Sequence, residues 1–120
     1  MRGAVQIGIE QIQVLDVPDP VGGDGMAVVK VRAAGICGSD LHPYHGRAKP
    51  QTLPDGHEIA GEVVDLPPDY RGPIRVGDLV AVDTICYGVA CGICEACQSG
   101  HPYHCPSRWT TPNWGGGFAQ

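Results

Sequence analysis

Cys91-Gly92-Ile93-Cys94-Glu95-Ala96-Cys97, followed by Cys105, decides how this chain can fold. The spacing is C-x2-C-x2-C-x7-C. Cysteines so close together are poor loop-closing disulfides, but four thiolates can surround one Zn²⁺ tetrahedrally at about 2.3 Å. A closed sulfur shell leaves no open position for chemistry, so a metal held there is structural. Its binding energy becomes folding energy for a lobe with little core of its own. From Cys86 to Cys105 no regular hydrophobic period survives, the situation in which a small lobe needs such a staple.

Two rival readings of the cluster stay open. The thiols could be buried and unligated. An iron–sulfur cluster is the sharper rival, because a later Cys105-Pro106 follows the three close cysteines, as in ferredoxin-type runs. The last gap has seven residues where that run has three, which favours zinc. His101 and His104 read as exposed loop residues, and Cys86 as a small buried hydrophobe at a strand end.

Outward from the cluster, the chain reads as short strands punctuated by turns. Of 120 residues, 18 are Gly and 11 are Pro, and only one is Phe. That punctuation fits a loop-rich β protein and argues against a helical bundle. Strand-like runs cover 4–7, 11–15, 26–34, 59–66 and 79–85. In the third, Val29, Val31 and Ala33 alternate with Lys30 and Arg32, the signature of a half-buried strand. Gly61 marks a bulge or a close backbone approach. Ser39-Asp40 can cap a short helical turn with Pro43 in its first turn, and 46–56 reads as an irregular loop. The expected architecture is a partly open antiparallel barrel with a metal-stapled lobe, about 86–106, and short helices.

Charge and composition exclude several roles. The net charge is −5, with no run of Lys or Arg, so neither nucleic acid nor an anionic membrane surface is an expected partner. A hydrophobic share of 42% is too high for disorder. No apolar stretch reaches the ~18 residues of a transmembrane helix, and Met1-Arg2-Gly3 does not lead into a signal-peptide core. Six cysteines without export point to the cytoplasm, where thiols stay reduced.

A second constellation joins Cys37-Gly38-Ser39-Asp40-Leu41-His42 to Gly56-His57-Glu58. Each segment sits at a strand boundary beside glycines and polar groups that a core would not welcome. A Cys37–His57 hydrolase pair lacks any orienting partner or oxyanion hole that the sequence identifies. A catalytic Zn²⁺ fits better, since such a site takes three protein ligands and keeps one position for substrate. Cys37 and His57 would supply two, with Glu58 as a transient ligand or supporting group. Asp40 could accept the proton on the free nitrogen of His57. Ser39 and His42 would then carry a substrate hydroxyl proton out to solvent.

Together these stretches are familiar. Gly35-Ile36-Cys37-Gly38-Ser39-Asp40-Leu41-His42, Gly56-His57-Glu58-Ile59-Ala60-Gly61-Glu62-Val63, Val76-Gly77-Asp78-Leu79-Val80 and the four-cysteine lobe occur in this order. The order resembles that of zinc-containing medium-chain alcohol and polyol dehydrogenases, in their N-terminal GroES-like catalytic domain. The likeness covers nearly all of residues 1–120. It implies Cys37, His57 and Glu58 at a catalytic zinc and Cys91, Cys94, Cys97 and Cys105 on a structural zinc. It also implies Ser39 and His42 in proton relay and Asp40 supporting His57. The implied reaction is reversible hydride transfer between a small alcohol, polyol or aldehyde and NAD(P). The dinucleotide-binding domain of that family carries Gly-x-Gly-x-x-Gly, which is absent from these 120 residues, and the usual third ligand of the catalytic zinc is expected beyond residue 120. Without that domain the 120 residues are expected to be inactive. A stand-alone zinc-binding interaction module is the alternative, and a homo-oligomer is compatible with either.

Overall fold

The computed structural model describes residues 1–22, 25–47, 53–83, 90–109 and 116–120. Cys86, for which a buried strand-end position is expected, lies outside them, as do 48–52 of the expected loop. The chain divides into two compact units, Met1–Val82 with Gly115–Gln120, and Asp83–Trp114.

In the first unit, β1 (Arg2–Gly8) and β2 (Gln11–Asp16) form an antiparallel hairpin, with Arg2 opposite Asp16 and Gly8 opposite Gln11. On the other edge of β1, Ala119 bridges Gly3. Arg2 and Gln120 exchange backbone hydrogen bonds of 2.8 and 2.9 Å there. β1 is therefore central, and Val5 on it is buried. β2 is exposed along its whole length, Ile12 and Val14 included.

The second sheet is β3 (Val28–Gly35), β4 (Glu58–Asp65) and β5 (Leu79–Ala81), all antiparallel in that order. The alternation expected along β3 runs from Val29 to Arg32 and then stops. A register shift between Val31 and Ala33 inserts an extra residue, and Ala33 turns to solvent. Gly61 is a close approach: a Cβ there would collide with the Lys30 carbonyl and the Val29 side chain. Val63, two residues on, is almost fully buried. The last expected strand, 79–85, is three residues long among those described. The ladders are all antiparallel and no barrel closes among the described residues, so the first unit is an open, mainly β body with short helices.

Between the sheets in sequence, a 3₁₀ turn (Gly38–Asp40) runs into a four-residue helix, α1 (Leu41–Tyr44). Pro43 is its third residue, within the first turn as expected. Asp40 occupies the N-cap position but does not cap forward: its carboxylate reaches back to the Cys37 N–H, at 2.8 Å.

The second unit contains α2 (Glu95–Gln98) and two 3₁₀ turns, Pro102–His104 and Pro106–Trp109. Its one fully buried side chain among the described residues is Cys105, at 1% exposure. The lobe thus has a sulfur where other domains have an apolar core. No helix among the described residues is long and apolar enough to cross a membrane.

Candidate metal centres

The Sγ atoms of Cys91, Cys94, Cys97 and Cys105 lie within 4.8 Å of one another. Thiolates around a tetrahedral zinc stand about 3.8 Å apart, so the donor set and its spacing fit that ion. Local backbone geometry builds the cup. Cys94 is the N-cap of α2 in extended conformation, which turns its sulfur to within 3.5 Å of Cys97 Sγ. Backbone N–H groups donate to two sulfurs: Cys91 N–H to Cys105 Sγ at 3.3 Å and Cys94 N–H to Cys91 Sγ at 3.4 Å. Such donors stabilise thiolate over thiol. The Cys91 N–H draws the Cys105 thiol down to about 6, and N–H groups of Ile93 and Cys94 lower Cys91. Cys97 goes the other way, pushed up to about 12 by burial and by the neighbouring thiolates. His101 and His104 are exposed, as expected, with ring centroids 6.4 Å apart.

The second centre is assembled by sheet register. In the β3–β4 ladder Gly35 faces Glu58, so the residues just past β3 and just before β4 meet. That register sets Cys37 beside His57. Gly56 makes the approach possible, with φ 94 and the Phe118 ring where a Cβ would stand. His57 Nδ1 lies 3.2 Å from Asp40 Oδ1 and Nε2 lies 3.1 Å from Ser39 Oγ. With the Nδ1 proton directed at Asp40, the neutral ring presents a lone pair at Nε2, the form a metal takes. Asp40 is 12% exposed and His57 27%, so both are held in a half-buried pocket. Hydrogen bonds from the Ser39 side chain and backbone, and then from His57, lower the Cys37 thiol, while Glu58 opposes them. The Cys37 sulfur likewise raises His57, helped by Asp40 and Asp55 and opposed by burial.

The profile of the alcohol dehydrogenase GroES-like domain matches residues 23–120. The chain belongs to that family. It is 44% identical over 104 residues to L-threonine 3-dehydrogenase of Pyrococcus horikoshii, covering 82% of this chain and 28% of the relative. Sorbitol dehydrogenase of Bacillus subtilis is 40% identical over 129 residues, covering 100% of this chain and 35% of that protein. Among solved structures, an alcohol dehydrogenase from Thermus sp. ATN1 superposes with a TM-score of 0.75 at 34% identity, over 88% of this chain and 30% of that one. A cobalt- and zinc-bound alcohol dehydrogenase from Pyrobaculum aerophilum gives 0.73 at 28% identity, over 88% and 32%. The chain thus spans about a third of the length of these relatives.

Within this GroES-like domain the residues singled out in the sequence fall unevenly. Cys37, Ser39, Asp40 and His57 come together, and Glu58 lies beside Cys37 with its side chain against Gly35. His42 is exposed on α1, and its side chain has no hydrogen-bond partner among the described residues. Sequence reasoning missed Asp55. Its carboxylate, one of Asp40 and one nitrogen of His57 form a trio within 4.8 Å, and Glu58 lies outside it. The available signal was Asp55 directly before a glycine at the end of a loop, where a turn can swing the carboxylate towards the next side chain.

Proposed function

We infer that residues 1–120 are the metal-bearing catalytic domain of a zinc-dependent alcohol or polyol dehydrogenase, which oxidises a hydroxyl-bearing small molecule with NAD or NADP as hydride acceptor. The observation that carries this reading is the β3–β4 register, which sets the Cys37 sulfur against a His57 ring oriented by Asp40. Cys37 and His57, with Glu58 as an exchangeable carboxylate beside them, hold the catalytic zinc. Cys91, Cys94, Cys97 and Cys105 hold the structural one. A bound catalytic zinc supplies Lewis acidity, which makes a substrate hydroxyl a stronger acid.

The chain's own residues handle the rest. Asp40 keeps the proton of His57 on Nδ1, so Nε2 stays free to ligate. The Ser39 hydroxyl stands next to Nε2 on the exposed side, and His42 follows on α1. Together they give the substrate proton a route to solvent. Hydride transfer needs a nucleotide-binding domain, and these 120 residues hold no Gly-x-Gly-x-x-Gly. Two structural neighbours, from Escherichia coli and Sinorhizobium meliloti, are described as complexed with NADH and bound to NADP. The relatives' names mention threonine, sorbitol and arabitol phosphate, all of which carry a hydroxyl on a short polar chain. The setting is the cytoplasm, with neither nucleic acid nor membrane as partner.

Zinc content by elemental analysis, paired with NAD(P)-linked alcohol oxidation by the full-length protein, tests this reading. Two zincs per chain are expected, falling to one with loss of oxidation in Cys37→Ser. A single zinc indifferent to Cys37→Ser would mark an interaction module instead. A brown, iron-containing product would also overturn it.

A further inference from the structure

The segment that carries Asp40 is gripped from behind by the β1–β2 hairpin. Gln6 Nε2 donates to the Pro43 carbonyl at 2.8 Å and to the Gly8 carbonyl at 2.9 Å. Glu10 N–H donates to the Tyr44 carbonyl at 2.8 Å, and Glu10 Oε1 lies 3.0 Å from His45 Nδ1. The Ile9 side chain sits over Gly46. Glu10 itself has φ 58, a left-handed conformation that few non-glycine residues adopt.

Apart from the Gln6–Gly8 bond, these contacts land on residues 43–46, the end of α1 and the two residues after it. A four-residue helix cannot hold its own shape, and its last carbonyls need partners from outside. At the other end of the same segment, the Asp40 carboxylate holds both the Cys37 N–H and His57 Nδ1. The hairpin and His57 therefore hold opposite ends of one short piece of chain. We propose that the β1–β2 hairpin is a clamp on α1, and that Gln6 and Glu10 are positioning residues for His57, acting through α1 and Asp40.

The proposal rests on His57 being a metal ligand, and the contacts rank within it. The Gln6 amide is half-buried and makes two bonds, so it carries the larger share. The Glu10 and His45 side chains are 62% and 48% exposed, so their pairing contributes least, and Glu10 acts mainly through its backbone.

Gln6→Met keeps the length of the side chain and removes both donors. Hydrogen exchange on the full chain should show amides of 38–46 exchanging about 3–10-fold faster, with those of β3 and β4 unchanged. Gln6→Lys, which restores a donor, should recover part of the loss, and Glu10→Gln should move the same amides less than about twofold. Co²⁺ titration should show affinity at the Cys37/His57 centre falling about 3–10-fold, with the four-cysteine spectrum unaltered. Unchanged exchange over 38–46 in Gln6→Met overturns the clamp, and so does an equal loosening of the β3–β4 sheet. If Gln6→Met does not fold, Ile9→Ala, which thins the packing on Gly46 and leaves every hydrogen bond, is read by the same two outcomes. Wild-type chain that takes up Co²⁺ only at the four cysteines would sink the metal reading of His57 and leave the exchange result standing, so the two failures are distinct.

Discussion

The two donor clusters of this chain differ in where their geometry comes from. In the lobe, all four sulfurs belong to residues 91–105, and neighbouring N–H groups point at two of them. At the other centre, Cys37 lies just past β3 and His57 just before β4, and they meet only because those strands pair in one register. The first cluster is written into local sequence, and the second is a product of the folded sheet. A local cup of four sulfurs has no place for a substrate. A cluster made between strands keeps one side open and depends on every element that holds its members.

The largest effect expected from this contrast is metal removal. Zinc in a four-cysteine site is worth about 10–16 kcal/mol of folding free energy, more than a lobe with one buried side chain among its described residues can replace. Stripping the metal, or Cys105→Ser, should abolish exchange protection over 91–105 and leave the β3–β4 amides protected. Loss of the sheet along with the lobe would break the comparison.

Next come two residues of the proposed open centre. On the proposed function, His57→Ala should lower alcohol oxidation by the full-length protein at least about 100-fold, while the lobe keeps its zinc. Asp40→Asn, which keeps the shape and removes the charge beside His57 Nδ1, should weaken metal at this centre about 10–100-fold and leave the lobe's affinity unchanged.

Proton release sharpens the comparison further. Metal-free Cys97, at about 12, is a thiol at neutral pH, whereas Cys105, at about 6, is already a thiolate. Zinc must displace the proton of the first and not of the second. Affinity therefore rises with pH above 6, and fewer than four protons per zinc should appear in a dye-coupled titration at pH 7.5. Release of four would contradict the assignment.

The smallest effect belongs to Arg32 and Glu62, paired at 2.7 Å on the surface of the second sheet. The Arg32 guanidinium holds the Glu62 carboxyl below its ordinary range. A lowered acid stabilises the fold above its unfolded-state value, and that contribution is lost as pH falls through the lower, folded one. Arg32→Ala should therefore cost a barely resolved amount near pH 7 and nothing in strong acid, as acid-unfolding curves would report. Arg32 is exposed and Glu62 half-buried at the surface, where solvent screening keeps the effect small.

Much of this molecule was legible in its residues, for physical reasons that also mark where reading failed. Four cysteines at short intervals stay close together in any compact lobe, so the gathering of their sulfurs could be read without knowing any contact between distant residues. Strands β1 and β4 followed from apolar runs bounded by glycine and proline. The bulge after Val31 was invisible, because an inserted residue leaves the alternation of the sequence intact while shifting which face it serves. The exposure of β2 was equally hidden, since Ile12 and Val14 look like core residues whatever covers them. At the open centre the meeting of Cys37, Asp40 and His57 was readable, but Asp55 was not. Its approach to His57 depends on the turn at Gly56 and on Asp40, fifteen positions away. The grip of Gln6 on Pro43 spans 37 positions and leaves no local pattern at all.

The polypeptide leaves the first unit after Val82 and rejoins it at Gly115, after which residues 118–120 run alongside β1. Topologically, the thirty-odd residues in between form a cassette spliced into a body that is continuous without them. Transplanting the cassette of a relative, or replacing it with a Gly/Ser bridge, becomes an engineering operation that can be tried. Such a chimera would separate what the sulfur-bound ion does for folding from whatever it does for turnover.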